Sequence, residues 1–296
     1  MTTPPSRTAG VYPLGASLCA ALAIVVLLIA NPVTTPVHAT DMFGELRKPG
    51  EPSFVAGHRG DRSTAPENTM AALERAIASP LEFVETDVAR SRDGVPVLFH
   101  DRTLGRTTDG TGPLADRTLA ELKQLDAGSW YSTAFAGERI PTLEEFLVEL
   151  APTGKKVLLE LKGYWSVDDL AAVTDQLDRF DLGGRVIFMS FNLGSLSSAS
   201  VLAPGTPRVA IVRSLPEDAV GFARSFRVIG VVTPASAIEE RPEVVDDMHA
   251  AGLGVMVYTL NSTETWAQAR ALGVDGIITD KPSSLDKWLA ATAPGT

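Results

Sequence analysis

The chain alternates between short apolar segments and longer amphipathic stretches from residue 54 to near its end. The apolar segments are rich in β-branched residues, have the length of strands, and lie at 54–58, 83–87, 97–100, 157–160, 186–190, 209–212, 228–232, 255–259 and 276–279. Most of the stretches between them have helical length and apolar positions at helical spacing. Strands that alternate with helices in this way predict βαβ units and a parallel sheet.

The third apolar segment differs from the others in the length of its connection. Only eight residues separate Asp87 from Pro96, whereas a parallel crossover needs a dozen or more. Asp93 and Gly94, within this connection, form a pair typical of tight turns. We therefore expect segment 97–100 to return as an antiparallel hairpin. The remaining eight strands would close a TIM-type (β/α)8 barrel, a fold that needs about 250 residues.

Residues that can cap helices precede several of the amphipathic stretches. Ser63 or Thr64 is predicted to cap a helix that has Pro66 in its first turn. Thr142 and Ser166 likewise precede stretches with helical periodicity. Each of these helices would lead toward the next strand.

The first forty residues have a different pattern, with Arg7 as their one charged residue and an apolar run from Leu14 to Ala30. This pattern predicts a signal peptide of residues 1–39, cut after Ala39, and an exported protein that is extracellular, periplasmic or associated with the cell envelope. The alternative is an uncleaved membrane anchor, although the run is slightly short for a span of about 20 residues. Membrane contact is expected only through this segment, if it is retained.

Charge and cysteine content exclude several classes of function. The formal net charge is −10 and no block of Lys or Arg occurs, which argues against nucleic acid or anionic lipid as an electrostatically held partner. Cys19, the single cysteine, lies within the predicted signal peptide. The mature chain would then have no disulfide, thiolate zinc site or cysteine nucleophile.

Three carboxylates lie where predicted barrel strands end. Glu85 and Asp87 are two residues apart in one strand, so their side chains share a side of the sheet. Glu160 ends another strand, and Lys162 follows it with the same spacing. Carboxylate oxygens completed by water and substrate suit Ca²⁺ or Mg²⁺ rather than a transition metal. Because catalytic groups of barrels collect at the carboxyl ends of strands, we expect one divalent cation there.

Two histidines are predicted to reach the same end of the barrel. His58 ends the first strand, and the hairpin would bring His100 back beside Asp87. Two imidazoles near one cation suit phosphodiester cleavage, in which one takes a proton from the attacking oxygen and the other protonates the leaving alcohol. Arg59 and Lys162 could steady the phosphoryl oxygens.

Other candidates are less central. Tyr258 and Trp165 closely follow site-bearing strands and are predicted to line the substrate pocket. His38 lies in the predicted signal peptide and His249 in a predicted helix, so neither is expected to take part.

With these residues identified, the chain resembles the glycerophosphodiester phosphodiesterase family. The matching blocks are GHRGDRSTAPENT (57–69), ETDVARSRDGVPVLFHDRTLGRTTDGTG (85–112), IPTLEEFL (140–147), LELK (159–162), SFN (190–192), VYTLN (257–261) and GVDGIITDKP (273–282). The resemblance implies one TIM-barrel domain over residues 40–296, with a small insertion at about 101–155. It also implies hydrolysis of small glycerophosphodiesters to an alcohol and glycerol 3-phosphate.

The resemblance also assigns roles to residues. It implies that His58 and His100 match the catalytic histidines, that Glu85, Asp87 and Glu160 match the metal ligands, and that Arg59 and Lys162 match phosphate contacts. Glu67 and Asn68, in the PENT block, would orient His58 or the metal ligands. Tyr258 stands where many relatives carry Trp, which bears on the shape of the substrate pocket.

Two alternatives to this hydrolase remain. A lysophospholipase D-like, sphingomyelinase D-like or teichoic-acid-directed phosphodiesterase would show a long apolar groove or prefer an acylated substrate. A surface binding protein on an inactive barrel would bind its ligand equally well after His100→Ala.

Overall fold

The computed structural model describes residues 37–292. Nine strands occur in this part of the chain: β1 Phe54–Gly57, β2 Phe83–Arg90, β3 Pro96–Leu98, β4 Lys156–Leu161, β5 Val186–Ser190, β6 Arg208–Ile211, β7 Gly230–Pro234, β8 Gly254–Tyr258 and β9 Gly276–Thr279. β1 pairs in parallel with both β2 and β9, so eight parallel strands form a closed ring. The predicted TIM barrel is confirmed.

Helices follow most of the strands and surround the barrel. Within residues 37–292 the α-helices are Ala39–Phe43, Met70–Ala78, Leu119–Leu122, Leu143–Leu150, Val167–Arg179, Leu193–Leu202, Ala219–Ser225, Ala235–Glu240, Glu243–Ala250, Thr263–Ala271 and Pro282–Ala291. Three short 3₁₀ segments occur at Leu104–Arg106, Leu114–Asp116 and Thr133–Phe135. None of the helices in the described range is long and apolar enough to cross a bilayer.

The predicted hairpin between β2 and β3 is confirmed. The two strands are antiparallel, and Val88 faces Leu98 across the ladder. Gly94 occupies the tight turn with a φ of +82°, a conformation that glycine adopts without steric cost. Beyond β3, the N–H of Phe99 donates to the carbonyl of Asp87. The hairpin therefore brings His100 to the carboxyl end of β2, as expected.

The predicted start of the first barrel helix at Ser63 or Thr64 is wrong. That helix is Met70–Ala78, capped by Thr69. Residues before it form turns because Arg59 and Asn68 have left-handed backbones, with φ of 56° and 55°. These turns direct polar side chains inward, where they make tertiary contacts. Hydrophobic periodicity does not predict such contacts. The caps predicted farther along are confirmed, since Thr142 and Ser166 cap Leu143–Leu150 and Val167–Arg179.

The stretch predicted as an insertion, about 101–155, has two parts. The first forms its own small core against the hairpin, made of Leu104, Leu114, Leu122, Ala127 and Ile140 with Val97 and Phe99. The second part is the helix Leu143–Leu150, which packs in the outer layer of the barrel through Phe146 and Leu147. Only the first part is an addition to the alternating strands and helices of the barrel.

Aromatic packing fills the amino-terminal end of the barrel. Phe43 stacks on Phe54 with ring centroids 5.2 Å apart, and Phe54 lies 4.4 Å from Phe83. Phe43 belongs to the short helix Ala39–Phe43, in which Ala39 is buried. The apolar run predicted as a signal peptide or anchor lies outside the described residues. With this end packed, the carboxyl end is where a ligand can enter.

Candidate active site

Three carboxylates meet at the carboxyl end of β2 and β4. Asp87 faces Glu160 across the parallel ladder, and Glu85 lies two residues before Asp87 on the same side. Each offers an oxygen within 4.8 Å of the others, and all three side chains are buried. The spacing seen in the sequence therefore corresponds to one compact acidic cluster.

The carboxylates of this cluster oppose one another electrostatically. Burial and the neighbouring charge of Asp87 raise the pKa of Glu85 well above its usual range and raise the pKa of Glu160 to about 7. Burial also opposes ionisation of Asp87, but Lys162 and Arg59 outweigh it and lower the pKa of that carboxyl. Ionising all three groups together requires additional positive charge between them.

The donor set fits a divalent cation. All three groups offer hard oxygen atoms, the ligands that Ca²⁺ and Mg²⁺ prefer. Oδ1 of Asp87 is buried and accepts no hydrogen bond from the described residues, although Nζ of Lys162 lies 3.4 Å away. A buried carboxylate oxygen without a hydrogen-bond donor is stabilised by a metal ion.

Two basic residues predicted to contact phosphate pair with acidic groups. Nζ of Lys162 lies 2.8 Å from Oε1 of Glu160. The guanidinium of Arg59 lies 2.5 Å from Oε1 of Glu67 and 3.3 Å from Oδ2 of Asp87. Both cations border the acidic cluster, and their contact with phosphate stays a prediction.

Each candidate catalytic histidine has an aspartate on Nδ1. His58 follows β1, and its Nδ1 lies 2.6 Å from Oδ1 of Asp280, just beyond β9. Nδ1 of His100 lies 2.6 Å from Oδ1 of Asp101. An Nδ1 proton donated to aspartate leaves the Nε2 lone pair free to exchange a proton with substrate. Burial lowers the pKa of both imidazoles, although the aspartates oppose this effect.

A chain of ion pairs connects the two aspartates. Arg62 lies 3.4 Å from Asp280 and 2.9 Å from Glu67. Arg106 lies 2.6 Å from Glu67 and 2.5 Å from Asp101. Glu67 is thus shared by arginines that lead to both histidines. It does not contact His58 directly, so any influence on that ring passes through Arg62 and Asp280.

Asn68, the neighbour of Glu67, supports the acidic cluster instead. Its Nδ2 donates to Oδ2 of Asp87 at 2.8 Å, while its Oδ1 accepts a hydrogen bond from the hydroxyl of Thr86. The left-handed backbone of Asn68 directs this amide toward β2. This hydrogen bond holds the side chain of Asp87, a candidate metal ligand. The supporting role that the resemblance implied for Asn68 stays a prediction.

The two aspartates that pair with the histidines, and the residues that pair with those aspartates, were missed in the sequence. They are Arg62, Asp101, Arg106, Asn261, whose Nδ2 donates to Asp280 at 2.8 Å, and Asp280 itself. Asp280 directly follows a predicted strand, the same signal that identified His58, and Asp101 directly follows His100. Strand-end position could have identified both aspartates. The arginines have no comparable local signal.

A small cavity opens above the acidic cluster. His58, Glu85, Glu160, Phe191 and Tyr258 line it, and its remaining lining is apolar. Tyr258 therefore lies where the sequence predicted a pocket residue.

Trp165 does not line this cavity, which corrects its prediction as a pocket residue. Its ring is only 1% exposed and packs among the outer helices. Its Nε1 donates to the carbonyl of Lys162, and the guanidinium of Arg90 lies 5.5 Å from the ring centroid. Although Trp165 closely follows a strand end in the sequence, its large apolar side chain packs into the core rather than toward the cavity.

Comparisons with known proteins cover the whole site. The model of the glycerophosphoryl diester phosphodiesterase family matches residues 58–284. A putative glycerophosphodiester phosphodiesterase of Bacillus subtilis is 35% identical over 238 residues, which cover 79% of this chain and 97% of that protein. A glycerophosphodiester phosphodiesterase of Caldanaerobacter subterraneus is 33% identical, with coverage of 79% and 96%.

A solved phosphodiesterase structure is also similar to this chain over most of its length. A phosphodiesterase from Oleispira antarctica, in complex with the product sn-glycerol-3-phosphate, superposes with a TM-score of 0.76 and 35% identity. The superposition covers 80% of this chain and 96% of that one. The stretch matched by the family model runs from His58 to beyond Asp280.

Proposed function

The chain belongs to the glycerophosphoryl diester phosphodiesterase family, and from this we propose a metal-assisted mechanism with two histidines as general acid and base. The enzyme is a phosphoric diester hydrolase. We propose that it converts small glycerophosphodiesters to an alcohol and glycerol 3-phosphate. The observation that supports the mechanism best is the placement of two aspartate-paired histidines beside one buried acidic cluster.

In this proposal Glu85, Asp87 and Glu160 hold one divalent cation, Ca²⁺ or Mg²⁺. When bound, the cation polarises the phosphoryl oxygens and offsets their negative charge. Asn68 keeps Asp87 in a ligating orientation through its 2.8 Å hydrogen bond. Lys162 and Arg59 add positive charge at the edge of the cluster, where an anionic phosphodiester would bind.

The histidines carry the proton transfers. Nε2 of one imidazole takes the proton of the attacking oxygen, from water or from the neighbouring glycerol hydroxyl, as that oxygen bonds to phosphorus. Nε2 of the other gives a proton to the leaving alcohol oxygen as the phosphorus–oxygen bond breaks. When the glycerol hydroxyl attacks first, water then opens the resulting cyclic phosphate to give glycerol 3-phosphate. Burial lowers the pKa of both rings and favours the base form, while an anionic substrate stabilises the acid form. Asp280 and Asp101 keep each Nε2 directed at the reaction.

The proposal is tested by the cation dependence of turnover. Purified protein stripped with chelator should release no glycerol 3-phosphate from glycerophosphodiesters, and added Ca²⁺ or Mg²⁺ should restore release. Glu160→Gln should weaken this restoration, since it removes one anionic ligand. Full turnover in chelator, or restoration that is unchanged in Glu160→Gln, would disprove the role of the acidic cluster.

We also propose that the protein is exported. The supporting observations are the apolar run Leu14–Ala30 and the presence of Arg7 as the one residue among Asp, Glu, Lys and Arg in residues 1–40. Fractionation of the producing cells locates the protein, and mass measurement of the exported form shows whether it is cut after Ala39. A protein found only in the cytoplasm would contradict export.

A further inference from the structure

Arg213 is an exposed cation at the entrance of the candidate active site. It lies two residues beyond the end of β6, on the carboxyl-terminal face of the barrel. Its guanidinium carbon is 4.7 Å from the centroid of the Phe191 ring. Within residues 37–292 its side chain makes no ion pair and no hydrogen bond, so its donors face solvent.

The aromatic ring under Arg213 belongs to the cavity. Phe191 and Tyr258 line the cavity together with His58, Glu85 and Glu160. The two aromatic rings meet edge to face, with centroids 6.1 Å apart. Arg213 therefore contacts an aromatic ring that lines the cavity in which a substrate would lie.

The other cations around the site already have acidic partners. Lys162 pairs with Glu160, and Arg59, Arg62 and Arg106 all pair with Glu67. Arg213 differs from them because its planar fork of N–H donors is available for a ligand. Such a fork matches a carboxylate or phosphate group.

A cationic head group would meet a different environment. Its most favourable aromatic contact would be the face of Phe191, but the guanidinium of Arg213 already covers that ring. Like charges at this short range also repel. The same residues that attract an anionic group therefore disfavour an ammonium group.

We propose that Arg213 and Phe191 form a head-group subsite that favours glycerophosphodiesters whose alcohol carries a carboxylate or phosphate. This inference rests on the proposed function, because it assumes that the cavity holds the diester. The subsite acts on the alcohol moiety, whereas the acidic cluster and the histidines act on the phosphodiester common to all substrates.

Glycerophosphoserine and glycerophosphoethanolamine provide a matched pair of probes, since they differ only by a carboxylate. We expect kcat/KM of the unaltered enzyme to favour the serine diester by about fivefold, near the upper limit for one exposed ion pair. In Arg213→Gln the preference should fall to about twofold or less. Glycerophosphoglycerol, whose alcohol moiety carries no charge, should be cleaved equally well by both enzymes.

Arg224→Gln is the matched control, because it makes the same change at an exposed arginine in the last turn of the helix Ala219–Ser225. It should leave the serine preference intact. A preference that is unchanged in Arg213→Gln, an equal loss on all three diesters, or an initial preference for ethanolamine would overturn the subsite. Failure of the unaltered enzyme to cleave any of the three would instead count against the proposed function.

Discussion

The pairing of Nδ1 with aspartate determines which nitrogen of each histidine can exchange a proton in the proposed reaction. In His58 and His100 the aspartate oxygen is 2.6 Å from Nδ1. A carboxylate in this position holds the imidazole ring and its tautomer, so that Nε2 exchanges the proton. The positioning aspartates should therefore affect the rate more than substrate binding.

We expect Asp280→Asn to lower kcat by about 10²-fold or more, because an amide does not hold the required tautomer of His58. KM should change little, since Asp280 is placed behind the ring rather than against the substrate. Steady-state kinetics check this split. His249→Gln is a control, because His249 pairs with Asp275 at the opposite end of the barrel and should not affect kcat. An unchanged kcat in Asp280→Asn would remove Asp280 from the mechanism.

Glu67 should contribute to stability in a pH-dependent way. Burial opposes its ionisation, but Arg106, Arg59 and Arg62 lower its pKa from 4.5 to about 2. Because the folded pKa is depressed, the stabilisation is complete above pH 4.5 and disappears as the pH falls through 2. The shift corresponds to about 3 kcal/mol.

Denaturant unfolding of Glu67→Gln tests this expectation. The free energy of unfolding should be lower than that of the unaltered protein by about 3 kcal/mol at neutral pH. The difference should shrink steadily below pH 4.5. A difference that is constant from neutral pH to pH 3 would show that Glu67 acts through packing rather than charge.

Sequence patterns predicted the acidic residues at strand ends and missed the residues that pair with the two histidines. Glu85, Asp87 and Glu160 were identifiable because strand spacing places them on one side. Asp280 was identifiable in the same way, because it follows β9, which lies beside β1 in the closed barrel. The burial of Trp165, by contrast, depends on the packing of the surrounding helices. The position of a residue at a strand end does not predict that packing.

The loop between β1 and the helix Met70–Ala78 is the element on which most of the site depends. It carries residues 58–69 and turns sharply at Gly60, which has a φ of +82°. A Cβ at Gly60 would lie 2.6 Å from the carbonyl carbon of Ala72, so the backbone of the helix would have to move. Gly94 in the hairpin has the same φ but open space around it.

Substitution of each of these two glycines by alanine allows a matched comparison of the effect on the free energy of unfolding. Gly94→Ala should cost about 1 kcal/mol, the conformational penalty alone. Gly60→Ala should cost more than about 3 kcal/mol, because backbone overlap adds to that penalty. Thermal or denaturant unfolding of both variants measures the difference. Equal destabilisation would show that close packing at Gly60 is not essential.

The same two elements show what a sequence pattern can and cannot predict. The hairpin was predictable because its short connection and Asp93-Gly94 turn are local signals. The helix start at Met70 was not, because Ser63 and Thr64 are equally plausible caps by local rules. Glu67 and Asn68 instead turn inward to meet charges from distant parts of the chain.

The whole molecule places three buried acidic groups at one end of a barrel whose other end is packed with aromatic rings. The alternation of strands and helices predicted this architecture, and the family resemblance agreed with it. The proposed head-group subsite was not predictable, because Arg213 contacts Phe191 only through the adjacent ends of the neighbouring strands β5 and β6.

Burial of three carboxylates close together lowers the stability of the protein when no cation is bound. Without a cation, Glu85→Gln should raise the melting temperature, because it removes an acidic group whose burial and repulsion by Asp87 raise its pKa. With Ca²⁺ or Mg²⁺ at 100 times its Kd, the unaltered protein should gain about 2.7 kcal/mol, and the variant much less. Thermal unfolding in chelator and in cation checks both. A variant that is less stable in chelator would contradict the repulsion.

In the proposed mechanism His100 transfers a proton beside a cation that it does not bind. Release of glycerol 3-phosphate and binding of the cation, both measured on His100→Ala, separate these two properties. We predict that turnover falls by about 10²-fold or more while cation affinity equals that of the unaltered enzyme. Turnover that survives the substitution, or cation binding lost together with it, would contradict this role of His100.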